Sequence, residues 1–188
     1  MFPLSLAPSL PLQATSPGDL ERARAGDARA VEALIATFGE RIFHLALQIL
    51  RDREAAEDAA QEIWVRALEK LPRFRGESAF GTWLYRLAIN FCLGRKRTQT
   101  RRSALAPCPD EAEPQTEFTR QLETRLALET VLDQLPENLA LTLMLREWHG
   151  CSYDEIAAIT RVPAGTVRSR LHKARAEFMR LWREGGHE

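Results

Sequence analysis

The sequence is poor in the features that mark most enzymes and secreted proteins. It has three cysteines, Cys92, Cys108 and Cys151. Their number is odd and their spacing fits no metal motif, which points to a reducing cytoplasm rather than a disulfide framework. The four histidines, His44, His149, His172 and His187, are scattered, and no His–Glu pair is read at the helical spacing of a metal site. There is no glycine-rich phosphate loop and no G-x-S-x-G turn. No catalytic residue, metal site or cofactor is therefore expected. No apolar run approaches the about 18 residues that a membrane helix needs, so no membrane insertion is expected.

Charge is lacking in two further ways. Residues 1–18 carry none, and Pro3, Pro8, Pro11 and Pro17 interrupt their short leucine stretches. A secretory leader needs a positive start and an unbroken apolar centre. The stretch reads instead as a disordered tail or a start assigned too early. The whole chain also lacks net charge, with 26 basic and 26 acidic side chains. That total speaks against a strongly basic nucleic-acid binder, but it hides a separation. Residues 73–102 hold eight basic side chains and one acidic. Residues 161–183 hold seven and one, and the segments between and around them are acidic. Phosphate neutralisation depends on local charge, so two nucleic-acid contacts are possible.

What the chain does have is helical periodicity. Its 188 residues, 45% apolar, suit one or two compact domains. Apolar residues recur at i, i+3 and i+4, giving expected helices at 19–37, 39–51, 54–70 and 79–97, then at 118–134, 137–148, 153–160 and 164–183. Pro72, Pro136 and Pro163 mark breaks. Residues 103–120, with Pro107, Pro109 and Pro114 among small and acidic residues, read as a linker. The expected architecture is all-α: a tail (1–18), a domain at 19–102, the flexible linker, and a second domain at 121–188.

Three helices stand out. On 54–70, Ala56, Ala60, Ile63, Trp64, Ala67 and Leu68 gather on a core face. Asp58, Gln61, Glu62, Val65 and Glu69 gather on the other. That acidic strip fits either an ordinary solvated face or a docking strip for a basic partner helix. On 79–97, Ser78 is placed as N-cap, and Phe80, Leu84, Leu87 and Phe91 form a core stripe. Trp83, Arg86 and Asn90 share a flank before Arg95, Lys96 and Arg97. The loop upstream holds Arg73, Phe74 and Arg75. Rings beside cations suit single-stranded nucleic acid, although Phe74 and Trp83 fit a core equally well. Finally, Ser152 and Glu155 form a capping box, Arg161-Val162-Pro163 a turn, and 164–183 a basic helix. This is a helix-turn-helix pattern, whose second helix enters the major groove.

These residues resemble a known family. Glu57-Asp58-Ala59-Ala60-Gln61-Glu62-Ile63-Trp64, Phe74-Arg75-Gly76-Glu77-Ser78-Ala79-Phe80 and Thr82-Trp83-Leu84-Tyr85-Arg86-Leu87-Ala88 with Asn90 resemble region 2 of the extracytoplasmic-function (ECF, group IV) sigma factors of bacterial RNA polymerase, in the sigma-70 superfamily. Leu135-Pro136, Ser152-Tyr153-Asp154-Glu155-Ile156-Ala157 and Gly165-Thr166-Val167-Arg168-Ser169-Arg170-Leu171-His172-Lys173-Ala174-Arg175 resemble region 4. The resemblance covers about 19–183, in order.

The resemblance implies a factor that binds core RNA polymerase and directs promoter-specific initiation by recognising −35 and −10 elements and stabilising strand opening. Asp58, Gln61, Glu62, Val65 and Glu69 would dock on the clamp helices of the largest polymerase subunit. Arg73, Phe74, Arg75, Ser78, Trp83, Arg86, Asn90, Arg95, Lys96 and Arg97 would serve the −10 element, with Phe74 and Asn90 at the unpaired bases. Thr166, Arg168, Ser169, Arg170, His172, Lys173 and Arg175 would read or hold −35 DNA. An anti-sigma factor is an expected partner and the cytoplasm the expected location. Gly81 and Gly94 depart from the family pattern, where a larger residue and a polar helix former are usual. The rival readings are a regulator that uses the helix-turn-helix without polymerase, and a hydrolase using His44 or His149, for which partnered carboxylates are missing.

Overall fold

The computed structural model describes residues 12, 15–103 and 127–186, with side chains described only to Gln99 in the first stretch. Residues 104–126, which hold the expected linker (103–120) beyond Ser103 and the start of the expected helix at 118–134, lie outside the described residues, as does most of the N-terminal tail. No strand occurs among the described residues. The helices fall into two compact units, one holding those between Pro17 and Ser103 and the other most of the helical residues after 127.

In the first unit, Pro17 opens α1 (Pro17–Arg24), where its missing N–H costs nothing. Gly26 then adopts φ +90°, and the Asp27 carboxylate accepts from the Arg29 and Ala30 amides to cap α2 (Ala28–Leu50). The helix break thus falls at 25–27 and not at the expected residue 38. A left-handed glycine followed by a capping aspartate ends one helix and starts the next, whereas Gly39 sits inside α2. Arg51 closes α2 in the left-handed region, and Asp52 accepts from the Ala55 amide to cap α3 (Arg53–Lys70). A 3-10 turn (Leu71–Arg73) leads to α4 (Phe80–Ser103).

Helix α2 is the centre of this unit. Its stripe of Leu34, Phe38, Ile42, Leu45, Ala46 and Ile49 is buried by packing against α3 and α4. Each of the leucine, isoleucine and phenylalanine side chains contributes about 1.5–3 kcal/mol on leaving water. By length and composition alone α2 is long and apolar enough to cross a membrane, which corrects the expectation that no stretch approaches that limit. Its apolar stripe is instead satisfied by α3 and α4, and Glu32, Glu40 and His44 are exposed on its other side. On α3 the buried face is Ala56, Ala59, Ile63, Trp64 and Ala67. Ala59 is inside, while Ala60 and Leu68 are half-buried. On α4, Leu87 and Phe91 are half-buried, and Tyr85, Ala88, Ile89 and Cys92 complete the core. Leu12 is also buried, so the chain is packed at that point within the expected tail.

The second unit begins with the helical residues 127–134 (α5), followed by α6 (Glu137–Glu147), α7 (Tyr153–Thr160) and α8 (Ala164–Glu184). Its core joins Leu128, Val131, Leu132, Leu143 and Leu145 to Ile156, Val167, Leu171, Ala174 and Phe178. Helices α6 and α8 pack together within it.

Candidate nucleic-acid and partner interfaces

The acidic strip on α3 is a surface. Asp58, Gln61, Glu62, Val65 and Glu69 are all exposed, and Val65, at 56% relative exposure, is an apolar residue with no cover. Periodicity requires this outcome, because Ile63, Trp64 and Ala67 occupy the opposite face. Four of the five strip residues, with Arg95 of α4, line an open groove of about 400 Å³. Arg95 reaches the Asp58 carboxylate at 3.4 Å. It therefore faces the acidic strip, and not only the nucleic acid expected from the basic run around it. Arg66 bounds the strip differently: it donates to Glu62 at 2.6 Å and lies 4.6 Å from the Phe91 ring centroid.

The aromatic loop is less open than expected. The Phe74 amide donates to the Leu71 carbonyl at 3.0 Å, and Gly76 turns the chain at φ +72°. Phe74 is only 6% exposed. Its ring packs edge-on against Phe80 at 6.2 Å and lies 5.2 Å from Trp83. The expectation that Phe74 meets an unpaired base therefore does not fit this structure: the loop turns the ring into the core, where it loses water contact. Arg73 and Arg75 remain outside, Ser78, Trp83, Arg86 and Lys96 are half-buried, and Asn90 and Arg97 are exposed. Ser78 does not take the N-cap position. Helix α4 starts at Phe80, and the Ala79 carbonyl accepts from the Trp83 amide.

The helix-turn-helix forms as the sequence indicates. The Ser152 hydroxyl accepts from the Glu155 amide at 3.2 Å, while the Ser152 amide donates to the Glu155 carboxylate at 2.7 Å. Arg161 closes α7 in the left-handed region, and Pro163 precedes α8. On α8, Val167, Leu171 and Ala174 are buried, so Arg168, Ser169, His172 and Lys173 are exposed and Thr166 and Arg170 are half-buried. Arg175 departs from this surface. Its Nε and Nη2 donate to Glu147 of α6 at 3.1 and 2.7 Å, and that bond holds the guanidinium above its ordinary pKa. Glu147 was not a candidate residue; a partner 28 positions away carries no local signal.

Among the described residues no cluster of three or more histidine, cysteine or acidic side chains could hold a metal. One His–Glu pair does exist at helical spacing, which corrects the reading that there is none. His44 lies 3.5 Å from Glu40, one turn earlier on α2, and both are exposed, so the pair is a surface contact and does not line a catalytic cleft.

Two helical units, the first with an exposed acidic strip and the second with a capped helix-turn-helix, define a class, and comparison with known proteins identifies it. Residues 34–102 match sigma-70 region 2, and residues 125–178 match sigma-70 region 4. The chain is 36% identical over 172 residues to the RNA polymerase sigma-H factor of Pseudomonas aeruginosa, covering 83% of this chain and 88% of that one. It is 35% identical over 173 residues to the ECF RNA polymerase sigma-E factor of Escherichia coli K12, with the same coverage. The fold is shared with CnrH, solved with the cytosolic domain of CnrY, at a TM-score of 0.71 and 22% identity over 88% of this chain and 96% of that one. It is shared too with RpoE of Bartonella quintana, solved with the anti-sigma factor NepR, at 0.64 and 21% over 81% and 96%. The chain belongs to the ECF RNA polymerase sigma factors, which act in promoter-specific transcription initiation.

Proposed function

We propose that the two units divide the work of initiation. The strip Asp58, Gln61, Glu62, Val65 and Glu69 docks on basic helices of the core polymerase clamp. Arg73, Arg75, Ser78, Trp83, Arg86, Asn90, Lys96 and Arg97 face the −10 element, with Arg95 shared between that surface and the strip. Phe74 supports the loop from within. Thr166, Arg168, Ser169, Arg170, His172 and Lys173 engage the −35 element, and Arg175 braces their helix against α6. The carrying observation is the acidic strip with an uncovered valine. A DNA-binding regulator acting alone has no use for it, whereas an apolar centre inside a charged rim is what a docking site needs.

Phosphate contacts supply salt-dependent affinity. Each base contact in the major groove adds about 1–3 kcal/mol of discrimination. Stacking at −10 helps offset a few kcal/mol of unpairing. The chain itself performs no covalent step, because nucleotide addition belongs to the polymerase. It works in the cytoplasm, where promoters and polymerase are. The solved relative bound to an anti-sigma factor supports such a partner here. The test is charge reversal at the strip. Asp58→Lys with Glu62→Lys should weaken core binding at least about 100-fold, or close to 3 kcal/mol, with helicity unchanged. Unchanged affinity in the folded double variant refutes the docking assignment.

A further inference from the structure

A surface that captures unpaired bases needs its loop held in place. Leu12 is 1% exposed and rests on Gly81, the second residue of α4. A Cβ on Gly81 would lie 2.5 Å from the Leu12 carbonyl oxygen, 3.0 Å from the Leu12 Cβ and 2.9 Å from Cε1 of Phe38. Backbone cannot yield cheaply, so only glycine leaves this notch open. Gly94, on the same helix, meets nothing within 4 Å, so the crowding belongs to this one position. From the notch the packing is continuous. Phe38 meets Phe80 edge-on at 5.6 Å. Phe80 lies 6.2 Å from Phe74 and 5.6 Å from Trp83.

We propose that Leu12, seated in the Gly81 notch, is a positioning residue for the −10 loop. It clamps Phe38 and Gly81, and through Phe80 it holds Phe74 and Trp83, so that Arg73 and Arg75 are presented from a fixed loop. Close-packed rings pass a displacement on rather than absorb it. The occupant of the notch is this chain's own N-terminal segment. The inference rests on the reading of residues 73–78 as part of the −10 surface.

The test uses the full chain and four variants. Leu12→Asp expels the side chain and Gly81→Ala fills the notch. Leu12→Met keeps an apolar plug, and Gly94→Ala is the control for a glycine replaced where there is room. Amide exchange is measured on the free protein. Permanganate reactivity of −10 thymines and affinity for core polymerase are measured on a promoter selected from a random library. Leu12→Asp and Gly81→Ala should speed exchange at 73–79 by about tenfold and reduce thymine reactivity with core affinity unchanged. Leu12→Met and Gly94→Ala should exchange no faster than the wild type at 73–79 and leave thymine reactivity unchanged. Wild-type exchange in Leu12→Asp and Gly81→Ala overturns the proposal. So does faster exchange spread over the whole unit with core affinity lost in step, since that is general destabilisation. A wild-type chain that opens no promoter overturns the reading of the loop, while the exchange data still decide whether the clamp exists.

Discussion

The two basic blocks of this sigma factor look alike in composition and differ in structure. In residues 161–183, Arg168, Ser169, His172 and Lys173 emerge on one exposed face, while Arg175 is held by Glu147 and Arg180 by Glu177 and Glu184. In residues 73–102 the elements divide: Phe74 turns into the core, Arg95 turns to Asp58, and Arg73, Arg75 and Arg97 stay outside. The difference has a simple cause. A single amphipathic helix fixes the direction of every side chain through its period. A loop feeding a helix fixes none until its neighbours are in place. Charge density alone therefore does not say which side chains reach a partner.

The largest expected effect breaks the first block at its interior. Phe74→Ala should cost about 3–5 kcal/mol, as for other buried aromatic truncations. Denaturant unfolding measures it, and a loss below 1 kcal/mol, by the same bookkeeping, would mean that the ring is a surface reader after all. The second block should behave oppositely. Arg168→Ala should leave stability unchanged, weaken promoter binding and reduce the salt slope by about 1. Arg175→Ala should cost about 0.5–1 kcal/mol of stability, since its pair with Glu147 is half exposed, and change the salt slope little. Titrations at several salt concentrations separate the two arginines.

Smaller effects sharpen the contrast within α4. Gly94→Ala should stabilise by about 0.5–1 kcal/mol, because the position is open and helical. Cys92 is fully buried beneath Arg95. Burial pushes its thiol from the ordinary 9.0 up to about 12, with Arg95 pulling the other way. The unfolded thiol therefore ionises first. The contribution of this group to stability is full below pH 9.0 and falls as pH rises towards about 12. Urea midpoints across that window, compared between wild type and Cys92→Ala, measure the difference.

Much of the architecture was legible. The faces of α3 and α8 and the Ser152–Glu155 capping box follow from spacing alone, because each depends on residues within one or two turns. Other features depend on contacts that no local pattern encodes. Asp27, rather than residue 38, starts α2, since a cap at 27 and a left-handed Gly26 act together. The fate of Phe74 depends on Phe80 and Trp83, and that of Arg175 on a glutamate 28 residues away. The reason for a glycine at 81 likewise lies far off in sequence, in a leucine 69 positions earlier that would crowd any Cβ placed there.

The central claim is that −35 reading belongs to the exposed face of α8 and −10 opening to the first unit. It is tested most directly by selecting promoters from a randomised library through run-off transcription, using purified core polymerase with wild-type chain or with Ser169→Ala and His172→Ala together. The account predicts that the wild type selects a two-part promoter, and that the double variant alters the −35 preference and leaves the −10 preference intact. An unchanged −35 preference, or a shift confined to −10, would contradict it.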